Sequence, residues 1–159
     1  MSISSERLVS ALGKVVSNPE VVQLLRDLGL EGGAPDIEDD ASSDVEIPKH
    51  GIALFFRTAH HLRDVAGLGG LPPSTAVVSD VKFSQRGFGG GPGYDGALPR
   101  GLTFADLRGP VRERLGPPDW SSPVVDNDRW NFGDQYMTIR FAMDGTGIRE
   151  VTCGLNWKL

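Results

Sequence analysis

Three aspartates lie close together in the sequence near two tryptophans, at Asp119, Asp126 and Asp128. Paired carboxylates can act as general acid and general base when they converge on one substrate. Aspartate is also a common turn former, and this stretch is rich in proline and serine. The stretch therefore allows an acid–base site, with His50 as a further group, or ordinary turns. His50 directly precedes a predicted strand, so an edge or capping role also explains it.

The other reactive side chains do not form a recognisable catalytic or metal-binding motif. His60 and His61 are adjacent, so in a helix or strand they point in different directions, which is poor geometry for one metal. The sequence has neither H-E-x-x-H nor G-x-S-x-G. The single cysteine, Cys153, lies in the strand-like run REVTCGL and is expected in the core. We therefore expect no catalytic residue, no metal and no cofactor.

Residues 87–101, GFGGGPGYDGALPRG, raise the question of a phosphate-binding loop. A dinucleotide fingerprint needs a third glycine where Pro92 stands, and it must lead directly into a helix. A P-loop needs a lysine that this stretch lacks. The run is better explained as a shaped connector that uses glycine for positive φ and proline for stiffness. Such a connector can still present a binding surface.

Composition narrows the class of protein. The chain has 159 residues, which suits one domain, and its net charge is -5. The isoelectric point near 5.1 argues against a nucleic-acid binder. The first residues, MSISSERLVS, lack the basic start and apolar run of a signal peptide, so we expect none, and no apolar run in the sequence approaches the length of a membrane span. We expect a soluble cytoplasmic protein, a monomer or dimer, that binds neither nucleic acid nor membrane.

The elements that must position these residues begin with two short helices. Ser4 or Ser5 can cap the first helix, whose apolar spacing continues to Val16. Ser17 or Asn18 can cap the second, which starts at Pro19 and stops at Gly29. Residues 1–30 are thus predicted to form a helical hairpin.

Residues 50–159 are predicted to form a sheet domain. Strands are expected in HGIALFFR, AVVSDVKFS, DNDRWNF, QYMTIRF and IREVTCGLNW, with an irregular excursion over residues 57–75. A third helix is expected to start near Asp106, to present Leu107, Val111 and Leu115 on one face, and to end at Gly116. The predicted class is α+β, with a mostly antiparallel sheet of about five strands and one helix packed on it.

Residues 31–48 join these two parts and are predicted to form an acidic loop. They contain seven acidic residues and no Lys or Arg, which leaves the rest of the chain at +2. One interpretation is a solvated, mobile loop. The other is an acidic surface that attracts a basic partner and speeds its encounter.

The aromatic residues suggest where a partner would bind. Trp130 lies in a predicted strand and is expected in the core. Trp120 and Trp157 are explained either as core or lid residues or as anchors of an interface, where exposed Trp and Tyr are common. In QYMTIRF, alternation places Tyr136, Thr138 and Arg140 on one face.

Residues 94–153 also resemble a known bacterial pattern. A helix is followed by LGPP, a Trp-bearing strand, an amphipathic strand, a D-G turn and a last strand. BamE-type outer-membrane assembly lipoproteins and the β-lactamase-inhibitor-protein repeat share this layout of a helix on a small antiparallel sheet. With the helical hairpin in front, the entry marked by Tyr94, Gly96, Leu98, Pro99, Gly101 and Leu102 resembles bacterial immunity proteins of polymorphic toxin systems. The chain lacks the lipobox cysteine and signal sequence of the lipoproteins.

The resemblance and the acidic composition together favour a protein-binding function. The first hypothesis is a cytoplasmic immunity-type inhibitor that occludes a basic toxin enzyme with its sheet face, its glycine-rich run and its acidic segment. The alternatives are a scaffold or assembly domain of BamE-like layout and a small enzyme that uses Asp and His acid–base groups. The predicted interface residues are Glu38, Asp39, Asp40, Asp44, Tyr94, Trp120, Tyr136, Arg140 and Trp157.

Overall fold

The computed structural model describes residues 2–37, 42–88 and 90–157. Its strands are β1 (Ser42–Ile47), β2 (Ile52–Thr58), β3 (Ala76–Ser84), β4 (Trp120–Ser121), β5 (Asn127–Phe132), β6 (Gln135–Phe141) and β7 (Ile148–Leu155). The helices are α1 (Ser5–Ser10), α2 (Pro19–Asp27) and α3 (Arg108–Leu115). All seven strands form one antiparallel sheet in the order β1-β2-β3-β7-β6-β5-β4. The α+β class is confirmed, but the sheet has seven strands where about five were expected.

The N-terminal helices follow the predicted capping chemistry. The Ser4 hydroxyl accepts the backbone N–H of Arg7 at 3.2 Å, and the Asn18 side chain accepts that of Glu20 at 2.9 Å. Helix α1 is shorter than its apolar spacing suggested. It ends at Ser10, and residues 13–16 instead run beside β3, where the Val78 carbonyl accepts the N–H of Gly13 at 2.9 Å.

The two unexpected strands lie at the edges of the sheet. Strand β1 falls inside the segment predicted to be an acidic loop, so that prediction is wrong for residues 42–47. Its residues alternate, with Val45 and Ile47 facing the core and Asp44 and Glu46 facing away, and this period of two suits an edge strand. Strand β4 has only two residues and pairs with β5.

Helix α3 begins slightly later than predicted. The Asp106 carboxylate accepts the backbone N–H of Thr103 at 2.8 Å in a turn before the helix, and α3 itself starts at Arg108. Of its predicted apolar face, Val111 is fully buried, Leu115 is half-buried and Leu107 is exposed. The indole N–H of Trp130 donates to the Gly116 carbonyl at 3.0 Å, which ties the end of the helix to β5.

The glycine-rich run packs closely on its neighbours, as expected of a shaped connector. A Cβ at Gly93, where φ is +83°, would lie 2.3 Å from the backbone nitrogen of Arg86. A Cβ at Gly91 would lie 2.3 Å from the Pro48 carbonyl oxygen. These close backbone approaches, rather than phosphate binding, account for the two glycines.

The two faces of the sheet differ in the side chains that they carry. Residues directly opposite each other in antiparallel strands share a face. One face, here called the core face, carries buried Trp130, Met137, Ile139, Val151 and Cys153, and α1 and α3 pack on it. The other, here called the open face, carries Asp44, Glu46, Phe55, Arg57, Asp80, Lys82, Trp120, Arg129, Tyr136, Thr138, Arg140, Glu150 and Thr152.

Candidate functional site

The open face brings together residues that the sequence predicted for an interface. Asp44 of β1, Trp120 of β4, and Tyr136 and Arg140 of β6 come from three different strands and lie on this one face. Trp157 follows β7, and its ring centroid lies 4.5 Å from the guanidinium carbon of Arg57 in β2. Trp120 is 52% exposed, as an anchor for a partner requires.

The other predicted interface residues are placed differently. Tyr94 is buried in the core, where its ring packs edge-to-face on Phe83 with centroids 4.9 Å apart. Its hydroxyl donates to the Ile3 carbonyl at 2.8 Å, so Tyr94 anchors the N-terminus and does not lie on the surface. Glu38, Asp39 and Asp40 lie outside the described residues.

A tyrosine–aspartate hydrogen bond lies at the centre of the open face. The Tyr136 hydroxyl donates to an Asp80 carboxylate oxygen across Gly154, which pairs with both residues in the sheet. A Cβ at position 154 would lie 2.1 Å from that oxygen and 2.6 Å from Cε1 of Tyr136. The glycine is therefore required so that the two side chains can meet above it.

The environment keeps the Tyr136 phenol protonated. Burial, followed by the nearby Asp80 carboxylate, raises the pKa of Tyr136 well above its ordinary value. The Arg129 guanidinium lies 4.0 Å from the centroid of the Tyr136 ring and bonds the side chains of Asn131 and Asn156, each at 3.1 Å. The Tyr136 side chain is thus held by the hydrogen bond from its hydroxyl to Asp80 and by the Arg129 guanidinium over its ring.

Other aromatic rings on this surface are also paired with cations. Lys82 lies 5.8 Å from the centroid of Phe55, and Arg140 lies 5.2 Å from that of Phe88, a residue of the glycine-rich run. Each pair orders two long or large side chains before any partner arrives, which lowers the entropy lost on binding.

Charge is distributed unevenly over the open face. Asp44 and Glu46 make the β1 edge acidic, and Glu46 pairs with Lys82 at 3.0 Å. Arg129 and Arg140 make the β5–β6 side basic. Glu150 lies between the two regions, where burial raises the pKa of its carboxyl. This uneven distribution of charge favours one docking orientation over its reverse.

The aspartates considered for acid–base chemistry are held in structural contacts. Asp128 faces the core, fully buried, and is hydrogen-bonded by Arg108 at 2.7 Å, Arg112 at 2.8 Å and Ser121 at 2.7 Å. Burial alone would raise the pKa of Asp128, but the two guanidinium groups and the hydroxyl hold it well below its usual range. Such a carboxylate stays ionised and cannot act as a general acid near neutral pH.

The remaining acid–base candidates do not converge with Asp128. Asp126 pairs with Arg108 at 2.9 Å, and the Asp119 carboxylate accepts the backbone N–H of Asn131 at 2.7 Å. His50 lies in a 3₁₀ turn before β2, four strand spacings or roughly 19 Å from β5. These positions do not bring His50 and the aspartates to one substrate.

The described residues also contain no cluster of metal ligands. Among them, no group of three or more His, Cys, Asp or Glu could hold a metal ion. The His61 imidazole contacts the Thr58 hydroxyl at 3.3 Å and packs edge-to-face on Trp157. No helix within the described ranges is both long and apolar enough to cross a membrane.

Sequence reasoning missed two residues of these sites and the role of a third. Asp128 is considered above only for acid–base chemistry or a turn, yet the inward position of Trp130 two residues later already places Asp128 on the core face. Asp80 and Gly154 look unremarkable in sequence because their role depends on pairing between distant strands.

Comparisons with protein-family models, with curated proteins and with solved structures found no match.

Proposed function

We propose that this protein is a binding module, a cytoplasmic immunity-type inhibitor that occludes a toxin enzyme with its open face. One observation carries the proposal: Asp44, Trp120, Tyr136 and Arg140, predicted separately from sequence, lie together on one ordered polar face. The arrangement of the aspartates supports binding over catalysis, because their carboxylates are engaged in ion pairs and hydrogen bonds.

The size of the open face suits a protein partner. Six strand spacings of about 4.8 Å give it a width of about 29 Å. A standard protein–protein interface covers about 800 Å² on each partner, a patch roughly 32 Å across. The glycine-rich run borders the face through Phe88, and the acidic segment contributes Asp44 and Glu46, so both can contact the same partner.

Charge indicates the kind of partner. The net charge of -5 and the acidic β1 edge favour a protein with a basic active-site surface, such as an enzyme that binds phosphate groups. The basic β5–β6 side of the open face then contacts an acidic patch on the partner, next to the partner's basic surface. An inhibitor of this kind competes with the anionic substrate for the same cations.

The test is capture of the partner with the full-length tagged protein as bait. Mass spectrometry after a high-salt wash should identify one basic, toxin-like polypeptide in near-equal amount. Arg140→Glu should abolish capture, since it reverses a charge at the exposed part of the face. Arg63→Glu makes the same change at an exposed arginine outside the sheet and should not affect capture. If neither the native lysate nor toxins encoded beside the gene yield a bound polypeptide, the proposal is wrong.

A further inference from the structure

A second site is suggested by a cavity on the core face, which shares only Tyr136 with the open face. It has a volume of about 610 Å³ and lies between α1, the end of the glycine-rich run, and the adjoining ends of β5, β6 and β7. Ligand sites are typically cavities of about 300–1,000 Å³ with mainly apolar walls and a few polar groups. Val9, Leu98, Met137 and Cys153 supply apolar wall here.

Arg100 lies at this cavity in a backbone conformation that arginine rarely adopts. Its φ of 60° makes it the only non-glycine residue with positive φ among those described. Such a conformation is strained for a residue with a Cβ and persists where the surroundings enforce it. The Arg114 guanidinium does so by donating to the carbonyls of Arg100 at 3.2 Å and Gly101 at 3.4 Å.

The arginine side chain is positioned to receive an anion. Its guanidinium carbon lies 3.4 Å from the centroid of the Phe132 ring. Stacking occupies the face of the guanidinium and leaves its N–H groups, which lie in the plane, available to a carboxylate. No carboxylate of the described residues pairs with Arg100.

We propose that this cavity binds a small organic monoanion with an apolar body, such as a medium-chain carboxylate. Arg100 holds the carboxylate, and the chain enters the apolar space beside Met137 and Leu98. Glu6 lines the α1 side of the same cavity and disfavours a second negative charge on the ligand. The site is independent of the proposed inhibitor function, so either proposal can fail alone.

Calorimetric titration of the full chain with hexanoate, octanoate, decanoate and octanol tests the proposal. Burying a methylene contributes about 0.8 kcal/mol, so affinity should rise roughly 15-fold for each two carbons added. Arg100→Gly should weaken octanoate binding at least tenfold without affecting octanol. Glycine adopts positive φ freely, so this variant should remain folded. Arg86→Gly, which removes another exposed arginine of the chain, should leave octanoate binding unchanged.

Methionine methyl NMR locates the binding. Octanoate should shift the signal of Met137, which lines the cavity, and leave that of Met143, which is 84% exposed, in place. Absence of binding at millimolar concentration overturns the proposal. Three other results would also overturn it. The first is a shift of the Met143 signal without a shift of Met137, and the second is equal affinity for all three chain lengths. The third is octanoate binding by Arg100→Gly that is as strong as that of the native protein.

Discussion

The Tyr136 hydroxyl donates a hydrogen bond to the Asp80 carboxylate across Gly154, so that β6 and β3 are linked over the strand between them. The link fixes a polar pair at the centre of the open face. It also explains why the intervening strand carries glycine at this point. The stability of the sheet and the shape of the open face therefore depend on the same three residues.

Gly154→Ala should destabilise the protein by about 1–3 kcal/mol, the usual cost of forcing atoms into a filled space. The added Cβ would lie 2.1 Å from the Asp80 oxygen, so Asp80 or Tyr136 must move. Urea denaturation measures the change in the free energy of unfolding. The same substitution at Gly109, in the first turn of α3 and directly before Pro110, meets nothing within 4 Å, so it should change the free energy of unfolding by no more than about 0.5 kcal/mol. Equal effects at both positions would contradict this account.

Stability should fall above about pH 10 in a manner that depends on Tyr136. The folded state raises the pKa of this phenol, whereas the unfolded chain ionises near the ordinary value of about 10. The stabilisation is therefore complete below about pH 10, and it is lost progressively as pH rises above that value. Denaturation at pH 8, 10 and 11 should show a steeper decline for the native sequence than for Tyr136→Phe. Parallel declines would show that the phenol does not titrate as described.

Ionisation of both tyrosines should be suppressed in the folded protein. Burial also raises the pKa of Tyr94, and the chain has two tyrosines. Absorbance of tyrosinate near 295 nm should therefore appear only when the protein unfolds, above the pH at which free tyrosine ionises. If the folded protein showed the absorbance of one fully ionised tyrosine near pH 10, the environment described for Tyr94 or for Tyr136 would be wrong.

Asp128→Asn should cost about 3 kcal/mol, because it leaves two arginines beside a buried neutral amide. Since the folded state lowers the pKa of Asp128, its contribution is present above about pH 4 and is lost as pH falls below that value. Urea denaturation from pH 6 to pH 2 should thus show a flatter pH dependence for the variant. Asp126→Asn removes only a half-exposed pair with Arg108 and should cost under about 1 kcal/mol.

Local patterns in the sequence predicted most of the fold, while the candidate site depended on long-range pairing. Capping residues predicted where α1 and α2 begin, and alternation in QYMTIRF predicted both faces of β6. Strand β1 was missed because its acidic residues outweighed the alternation of Val45 and Ile47. The Tyr136–Asp80 contact could not be predicted, since it requires the order of β3, β7 and β6 across distant parts of the chain.

The two tryptophans near the aspartate cluster should respond in opposite ways to truncation. Trp130 is 2% exposed and its indole N–H is hydrogen-bonded to Gly116, so Trp130→Ala should cost about 3–5 kcal/mol and can prevent folding. Trp120 is 52% exposed in a two-residue edge strand, so Trp120→Ala should change the free energy of unfolding by no more than about 0.5 kcal/mol. Urea denaturation followed by circular dichroism compares both variants with the native protein.

Variants of Trp120 and Trp130 also distinguish an effect on stability from an effect on partner binding. Once a partner has been captured, Trp120→Ala should weaken its affinity at least tenfold while the protein stays folded, as expected for an exposed aromatic anchor. Trp130→Phe keeps an aromatic ring in the core and should bind normally despite reduced stability. If Trp120→Ala binds with native affinity, the β4 end of the open face lies outside the interface. The contact would then be confined to the region around Tyr136 and Arg140, where charge reversal at Arg140 tests it directly.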